Sequence, residues 1–140
     1  MRSIVVDAGP MIALFNRSDI KHEKVKAWFA RNTANMKLLC TEAVVTEVTH
    51  LLDFNVSLQT GFLRWALVAL EVVPIATARY EEMAGWMDVY ANVPMDFADA
   101  TLLLLCLQNP GASLLTFDER GFGVFRTPGR TGKFPRRVEL

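Results

Sequence analysis

Short apolar runs alternate along the chain with longer segments whose apolar residues recur at helical spacing. The short runs predict buried β-strands, and the longer segments predict amphipathic helices. We expect strands at 4–6, 38–40, 71–73 and 113–116, and a closing strand near 137–140. We expect helices at 11–15, 21–32, 42–54, 58–69, 78–90 and 97–108.

Polar residues suited to capping precede four of these helices, namely Thr41, Ser57, Thr77 and Asp96. Gly9 and Pro10 are expected to turn the chain after the first strand, with Pro10 opening the first helix. Because strands alternate with helices, the pattern predicts an α/β domain with a mainly parallel sheet and right-handed crossovers. Ligands of such sheets lie beyond the carboxyl ends of the strands, so the chemistry is expected there.

Length and composition indicate one globular domain with a substantial core. At 140 residues, 51% hydrophobic and 21% charged, the chain needs no disulfide or metal to fold. Cys40 and Cys106 lie in apolar runs without disulfide or zinc spacing, which suggests a reducing compartment, and we expect the cytoplasm. Asp7 ends the first apolar run too early for a signal peptide. Pro110 and Gly111 interrupt the longest charge-free stretch, so no membrane span is expected.

Charge is balanced overall but uneven along the chain. Fifteen basic side chains match fifteen acidic ones, which excludes a protein that coats nucleic acid by bulk positive charge. Residues 1–119 carry nine basic and fourteen acidic side chains, whereas 120–140 carry six basic ones against Glu139 alone. We therefore expect one domain over 1–140 with a basic tail from about residue 120. The tail could hold a polyanion, or it could be a solvated segment whose charge has no role.

Two acidic residues follow predicted strands. Asp7 comes directly after the first strand, and Asp118 follows the fourth with only Phe117 between. In a parallel sheet both would lie at the carboxyl edge. Asp7 is difficult to explain as structural, because a carboxylate that ends a buried strand needs a partner. Asp118, by contrast, could simply begin a turn.

Three further acids could reach the same edge. Asp96 and Asp99 open the helix at 97–108, and Glu47 lies about two turns into the helix after the second strand. Converging carboxylates raise one another's pKa unless a cation lies among them, and all-oxygen ligands suit Mg²⁺ or Mn²⁺ better than zinc. The structural alternative is that Asp96 and Asp99 only cap their helix and that Glu47 is an exposed helix residue.

Four segments, in this order and spacing, carry a family resemblance: 5–10, 41–48, 96–100 and 114–118. They resemble the PIN domain family of metal-dependent ribonucleases, which includes the VapC toxins of bacterial toxin–antitoxin pairs. The resemblance implies a three-layer α/β/α sandwich with a mainly parallel central sheet. It also implies an acidic quartet of catalytic and metal-binding residues, formed by Asp7, Glu47, Asp99 and Asp118.

Further roles follow from the same resemblance. Asp96 would be a helper or a cap, and Thr116 a polar neighbour of the metal site. The implied activity is hydrolysis of RNA phosphodiester bonds by an endoribonuclease that uses Mg²⁺ or Mn²⁺. One or two cations on the quartet would neutralise the phosphodiester and lower the pKa of an attacking water, with no Ser or His nucleophile. Phosphate contacts that position RNA would come from the tail, through Arg120, Arg126 and Arg130.

The resemblance also implies partners. PIN toxins pair as homodimers and are blocked by a small antitoxin protein that fills the acidic groove, and the apolar surface over 54–70 suits a partner. The alternative function is a catalytically silent PIN-like domain that acts as a binding or scaffold module. The complete quartet argues against it, because a domain without chemistry has little reason to keep four costly acids together.

Overall fold

The computed structural model describes residues 1–126 and 135–140, and its centre is a four-stranded parallel sheet. The strands are β1 (Arg2–Val6), β2 (Met36–Cys40), β3 (Leu70–Val72) and β4 (Ser113–Leu115). Their order in the sheet is β3-β2-β1-β4, and every pairing is parallel. In β1, Ile4, Val5 and Val6 are all fully buried, so both faces of the sheet are covered.

Helices connect the strands. Seven α-helices lie in the described residues: α1 (Ala8–Phe15), α2 (His22–Asn32), α3 (Glu42–Leu51), α4 (Val56–Ala69), α5 (Tyr80–Val89), α6 (Phe97–Gln108) and α7 (Glu119–Phe122). Short 3₁₀ turns occupy Thr33–Asn35 and Thr77–Arg79. The α/β class, the mainly parallel sheet and the α/β/α layering predicted from the sequence are confirmed. None of the helices in the described part of the chain has the length and apolar content needed to cross a bilayer.

Helix α6 forms much of the core beside the sheet. It packs against β1, β2, α3 and α5, and its leucine run from Leu102 to Leu105 is almost completely buried. A helix that is apolar on all sides is expected to be surrounded by other elements. A second part of the core joins α1, α2 and α4 through edge-to-face ring contacts among Phe15, Phe29 and Trp65, with centroids 5.5 and 5.8 Å apart.

Two helices begin earlier than predicted. Helix α1 starts at Ala8 instead of residue 11, because the Asp7 carboxylate accepts a hydrogen bond from the Ala8 N–H at 2.7 Å. Pro10 lies in the first helical turn, where no N–H is needed, so this segment is helical and is not a turn. Helix α4 starts at Val56, because Asn55 caps it through its side-chain oxygen; the predicted cap, Ser57, lies inside the helix.

Other boundaries also differ from the sequence prediction. Helix α3 ends at Leu51 instead of residue 54, and strand β3 lies one residue earlier than predicted. Thr77 opens a 3₁₀ turn, after which α5 begins at Tyr80. The closing strand is reduced to one parallel bridge between Leu114 and Arg137. The assignment of 1–140 to a single domain stays a prediction.

Candidate functional site

Asp7 and Thr116 lie side by side where two neighbouring strands end. β1 and β4 pair in parallel up to Val6 and Leu115, and the Asp7 N–H donates to the Leu115 carbonyl at 2.9 Å. The next residue along β4 is Thr116, whose hydroxyl donates to Asp7 Oδ2 at 2.7 Å. Asp7 Oδ1 accepts from the Ala8 N–H, so both oxygens of this buried carboxylate have a partner.

Burial is the main influence on the pKa of Asp7. Removal from water raises it, while the hydrogen bonds from Thr116 and the Ala8 N–H lower it. The negative charges of Asp118 and Asp96 raise it again, and the net effect is a raised pKa. Asp7 therefore lies within electrostatic range of two other acids, as the sequence predicted.

Asp118 is held close to the same hydroxyl. Its backbone N–H donates to Thr116 Oγ1 at 3.0 Å, so Thr116 contacts one acid through its proton and the other through its lone pair. The Asp118 side chain accepts from the Gly121 N–H at 2.9 Å and caps α7. A Cβ atom at Gly121 would lie 2.5 Å from Asp118 Oδ2, so glycine lets the backbone approach the carboxylate closely.

Asp96 and Asp99 form a reciprocal capping box at the start of α6. The Asp99 N–H donates to Asp96 Oδ1 at 2.8 Å, and the Asp96 N–H donates to Asp99 Oδ2 at 3.1 Å. Burial and then the charge of Asp96 raise the pKa of Asp99 to about 8, and the charge of Asp7 contributes. Asp96 and Asp99 therefore cap the helix, as the structural alternative predicts, and Asp99 also interacts electrostatically with Asp7.

Glu47 approaches the cluster from α3 as a half-buried side chain. Burial raises its pKa, and the charges of Asp7 and Asp96 raise it further. The end of β2 that leads into α3 is joined to α6 by a buried hydrogen bond between Thr41 Oγ1 and Thr101 Oγ1, 2.8 Å long. Thr41 occupies the cap position of α3, but its hydroxyl makes no capping bond.

The structure thus gathers all five predicted acids into one electrostatic cluster, although it does not form a tight ligand cage. Within 1–126 and 135–140, no three His, Cys, Asp or Glu side chains converge closely enough to hold a metal ion together. The donor set nevertheless fits a hard divalent cation, because it consists of carboxylates whose mutual repulsion a cation would relieve. Mg²⁺ commonly keeps several waters and uses one or two carboxylates, so it needs no such cage.

A family model described as PIN domain matches residues 4–126, which include β2 to β4, most of β1 and all five acids. The chain belongs to the PIN domain family. No curated protein sequence matches it significantly. The family resemblance drawn from the spacing of the acids is therefore confirmed.

Two solved structures share the fold of this PIN domain. The crystal structure of VapC20 from Mycobacterium tuberculosis, a toxin that cleaves the sarcin–ricin loop, gives a TM-score of 0.73 at 19% identity, covering 89% of this chain and 98% of that one. A chain from the crystal structure of VapBC2 of Rickettsia felis, bound to a DNA fragment from the VapBC2 promoter, gives a TM-score of 0.61 at 10% identity. That match covers 81% of this chain and 86% of the other. At these identities the likeness is one of fold.

The basic residues predicted to contact phosphate all follow Asp118 in the chain of this PIN domain. Arg120 is exposed on α7, and Arg126 is exposed with its N–H bonded to the Tyr90 hydroxyl at 3.0 Å. Arg130 lies outside the described residues. A cleft of about 940 Å³ beside Thr116 has Lys21, Lys24, Arg136 and Arg137 as its basic lining, and neither Arg120 nor Arg126 is part of its described lining.

Lys21 is the residue near the site that the sequence analysis missed. Its Nζ lies 3.9 Å from the centroid of the Phe117 ring, and Phe117 separates Thr116 from Asp118. No local pattern identifies this contact, because Lys21 precedes α2 and Phe117 follows β4. The turn before α2 is held in place by His22, whose Nδ1 lies 2.7 Å from the Ala13 carbonyl on α1.

Proposed function

We propose that this PIN domain is an endoribonuclease that depends on Mg²⁺ or Mn²⁺ and hydrolyses RNA phosphodiester bonds. The observation that carries the proposal is the placement of acids at the carboxyl edge of the sheet, where Thr116 bonds to both the Asp7 carboxylate and the Asp118 N–H. The pKa values of Asp7, Glu47 and Asp99 are each raised first by burial and then by neighbouring carboxylates. A fold that collects such costly groups at the ligand-binding edge of a parallel sheet favours cation-dependent chemistry.

The proposed ligands and catalytic residues are the quartet of Asp7, Glu47, Asp99 and Asp118. A divalent cation bound there supplies neutralisation of the phosphodiester and a lowered pKa for the attacking water. Thr116 and the Ala8 N–H fix the two oxygens of Asp7. The capping box fixes the Asp99 carboxylate against the Asp96 N–H, so that Asp96 is a positioning residue in this proposal.

The deciding experiment is cleavage of mixed tRNA and ribosomal RNA in Mg²⁺, in Mn²⁺ and in EDTA. We expect cleavage that EDTA abolishes and that Asp99→Asn reduces more than about 100-fold, since loss of a ligand should exceed the 10–100-fold effect of supporting residues. The matched control is Asp88→Asn, which changes an exposed aspartate on α5 and should leave cleavage intact. Folded protein that cleaves no RNA with either ion would favour the silent binding module.

We also propose that the protein is the toxin of a toxin–antitoxin pair and acts in the cytoplasm as a homodimer. The two similar structures, a VapC toxin and a VapBC complex, support this biological role. An apolar partner surface is available on α4, where Leu63, Leu67 and Val68 are 47, 86 and 87% exposed. A cognate antitoxin would then block RNA cleavage on co-expression.

Light scattering tests the homodimer. We expect wild-type protein at the mass of two chains and a Leu67→Asp/Val68→Asp variant at the mass of one. The matched control is Val89→Asp, which makes the same apolar-to-acidic change at an exposed position on α5. A wild-type protein that stays monomeric at high concentration would contradict this part of the proposal.

A further inference from the structure

Two clefts of the molecule share Arg136 and Arg137 and form one basic surface. The cleft of about 940 Å³ beside Thr116 adds Lys21 and Lys24. The other cleft, of about 600 Å³, adds Arg2 and Arg31. Against these six cations the described lining contains two acids, Glu119 and Glu139. We call the six the basic track: Arg2, Lys21, Lys24, Arg31, Arg136 and Arg137.

The C-terminal part of the basic track is fixed to the sheet. The Leu114 N–H donates to the Arg136 carbonyl at 2.6 Å, and the Val138 N–H donates to the Leu114 carbonyl at 2.8 Å. These bonds attach the Arg136–Arg137 pair to β4, the strand that leads directly into Thr116. The two arginine side chains are exposed while their backbone is held.

The other end of the basic track lies in the cleft lined by Thr116, whose hydroxyl bonds to Asp7. Lys21 Nζ lies over the ring of Phe117, and Phe117 joins Thr116 to Asp118 along the chain. At the far end, Arg2 begins β1 and Ser113, which lines the second cleft, begins β4. Five residues of β1 rise ~3.3 Å each, so the basic track extends ~13 Å or more from the acidic edge.

The cations of the basic track are available to a ligand. The ion pairs of the described chain join Lys37 to Glu71, Arg79 to Glu82 and His22 to Glu23, and they involve none of the six. Because the whole chain has a formal net charge of zero, this surface is a local concentration of charge and not a consequence of a basic protein. A surface of this kind suits a polyanion.

We propose that the basic track binds the sugar–phosphate backbone of RNA on one side of the bond to be cleaved. The proposal rests on the proposed nuclease function and extends it to substrate binding. It assigns the phosphate contacts to the six residues of the basic track, in place of the predicted Arg120, Arg126 and Arg130. Four of the six cations are arginines, whose planar fork matches phosphate oxygens. Continuity with the acidic edge favours RNA over an acidic protein as the occupant.

Binding of labelled bulk tRNA in EDTA tests the basic track without cleavage, in an Asp99→Asn background. Phosphate contacts are independent of base sequence, so bulk tRNA is an adequate probe. We expect Arg136→Gln/Arg137→Gln to weaken binding about tenfold at ~0.15 M salt and to make the slope of log K against log salt shallower by about 1.4. All six side chains are exposed, so these variants should fold normally.

The matched control pair lies on one helix. Lys24 belongs to the basic track, whereas Lys26 is exposed on α2 outside both clefts. We expect Lys24→Gln to weaken tRNA binding several-fold and Lys26→Gln to have no effect. Equal losses in these two variants, or an unchanged salt slope in the arginine double variant, would overturn the proposal. A third outcome would also overturn the proposal: track variants that weaken the binding of poly-glutamate but leave tRNA binding unchanged. That result would assign the surface to an acidic protein.

A cleavage measurement separates this proposal from the nuclease proposal. In the wild-type background, track variants should raise KM for RNA and leave hydrolysis of the small diester bis(p-nitrophenyl) phosphate unchanged. Cation-dependent cleavage with unaltered KM in the track variants would overturn the basic track alone. Loss of tRNA binding in the track variants of a protein that cleaves nothing would support the basic track while the nuclease proposal fails.

Discussion

At the scale of single residues, Thr116 organises the acids. Its hydroxyl donates to Asp7 Oδ2 and accepts from the Asp118 N–H, so one side chain fixes two segments that lie on neighbouring parts of the sheet edge. The sequence shows that Thr116 follows a strand. It does not show the partner, because Asp7 is 109 positions away and the bond exists only once β1 and β4 pair.

Replacing Thr116 by valine should change the pH dependence of cleavage. The hydrogen bond from Thr116 lowers the pKa of Asp7, so Thr116→Val should raise that pKa further and move the acidic limb of the pH–rate profile to higher pH. The loss of a buried hydrogen bond should also reduce the free energy of unfolding by about 1–3 kcal/mol. Thr116→Ser keeps the hydroxyl and should restore both properties. A profile that does not move in Thr116→Val would contradict the role given to this bond.

The pKa of Asp99 should make the metal-free protein less stable as pH rises. In the folded protein this pKa is raised from 3.8 to about 8, so the folded state holds a proton that the unfolded state has released. The stabilising contribution is complete below about pH 4 and is lost as pH rises towards about 8. Urea unfolding in EDTA should show this decline in the wild type and a weaker one in Asp99→Asn. Asp88→Asn should keep the wild-type decline, and a flat wild-type profile would contradict the prediction.

At the scale of elements, the start of α6 combines two functions that are usually separate. The capping box satisfies backbone N–H groups, and the same two carboxylates repel each other. The sequence is compatible with both roles for Asp96 and Asp99, because the spacing of a capping box and that of a paired acid site coincide. Only contacts with other elements distinguish a cap from a site residue. Here the negative charge of Asp7, which lies after β1, contributes to the raised pKa of Asp99.

Two substitutions at Asp96 separate its cap from its charge. Asparagine is as good a cap as aspartate, so Asp96→Asn should keep the stability of α6 while lowering the pKa of Asp99. Asp96→Ala should lower that pKa as well but cost about 1 kcal/mol of unfolding free energy through loss of the cap. Urea unfolding and the pH profile of each variant provide the measurements. If Asp96→Asn abolishes cleavage, Asp96 is a metal ligand and its role is larger than positioning.

The boundaries of the helices and strands are predicted less well from the sequence than their types and order. Apolar spacing predicts the types and order of the elements. It places the starts of α1 and α4 too late, because in each case a residue further upstream caps the helix. Asp7, a predicted site residue, also caps α1, and Asn55 caps α4 in place of the predicted Ser57. Thr41 has the residue type of a cap, but its hydroxyl bonds to Thr101, which belongs to a different helix. Such choices depend on tertiary contacts that a local pattern does not contain.

At the scale of the whole molecule, opposite charges are separated although the net charge is zero. The acids collect at the carboxyl edge of the sheet, and the basic track extends from that edge along the side of β4. The acidic half of this arrangement could be predicted, because each acid follows or opens an element. Of the basic half, the sequence predicts only the basic tail, which contains Arg136 and Arg137. The other members come from β1, α2 and the turn before it, and no local pattern joins them to that tail.

The whole fold should become more stable when a cation binds to the acids. A ligand present at a hundred times its Kd adds about 2.7 kcal/mol to the free energy of unfolding. Mn²⁺ should therefore raise the Tm of the wild type, and more strongly at about pH 8 than at lower pH, since binding must displace the proton of Asp99. The shift should be lost in Asp99→Asn and kept in Asp88→Asn. If NaCl at the same ionic strength raised the Tm equally, the increase would come from screening of the repulsion between the acids and not from Mn²⁺ binding.

The parts of the acid cluster are synthesised far apart in time, because β1 and β4 pair in the sheet but are widely separated along the chain. Asp7 leaves the ribosome 109 residues before Thr116, an interval on the order of ten seconds at about 5–20 residues per second. During that interval Asp7 lacks both its hydroxyl partner and the nearby charge of Asp118. The proposed nuclease site therefore remains incomplete on the nascent chain until β4 has docked against β1.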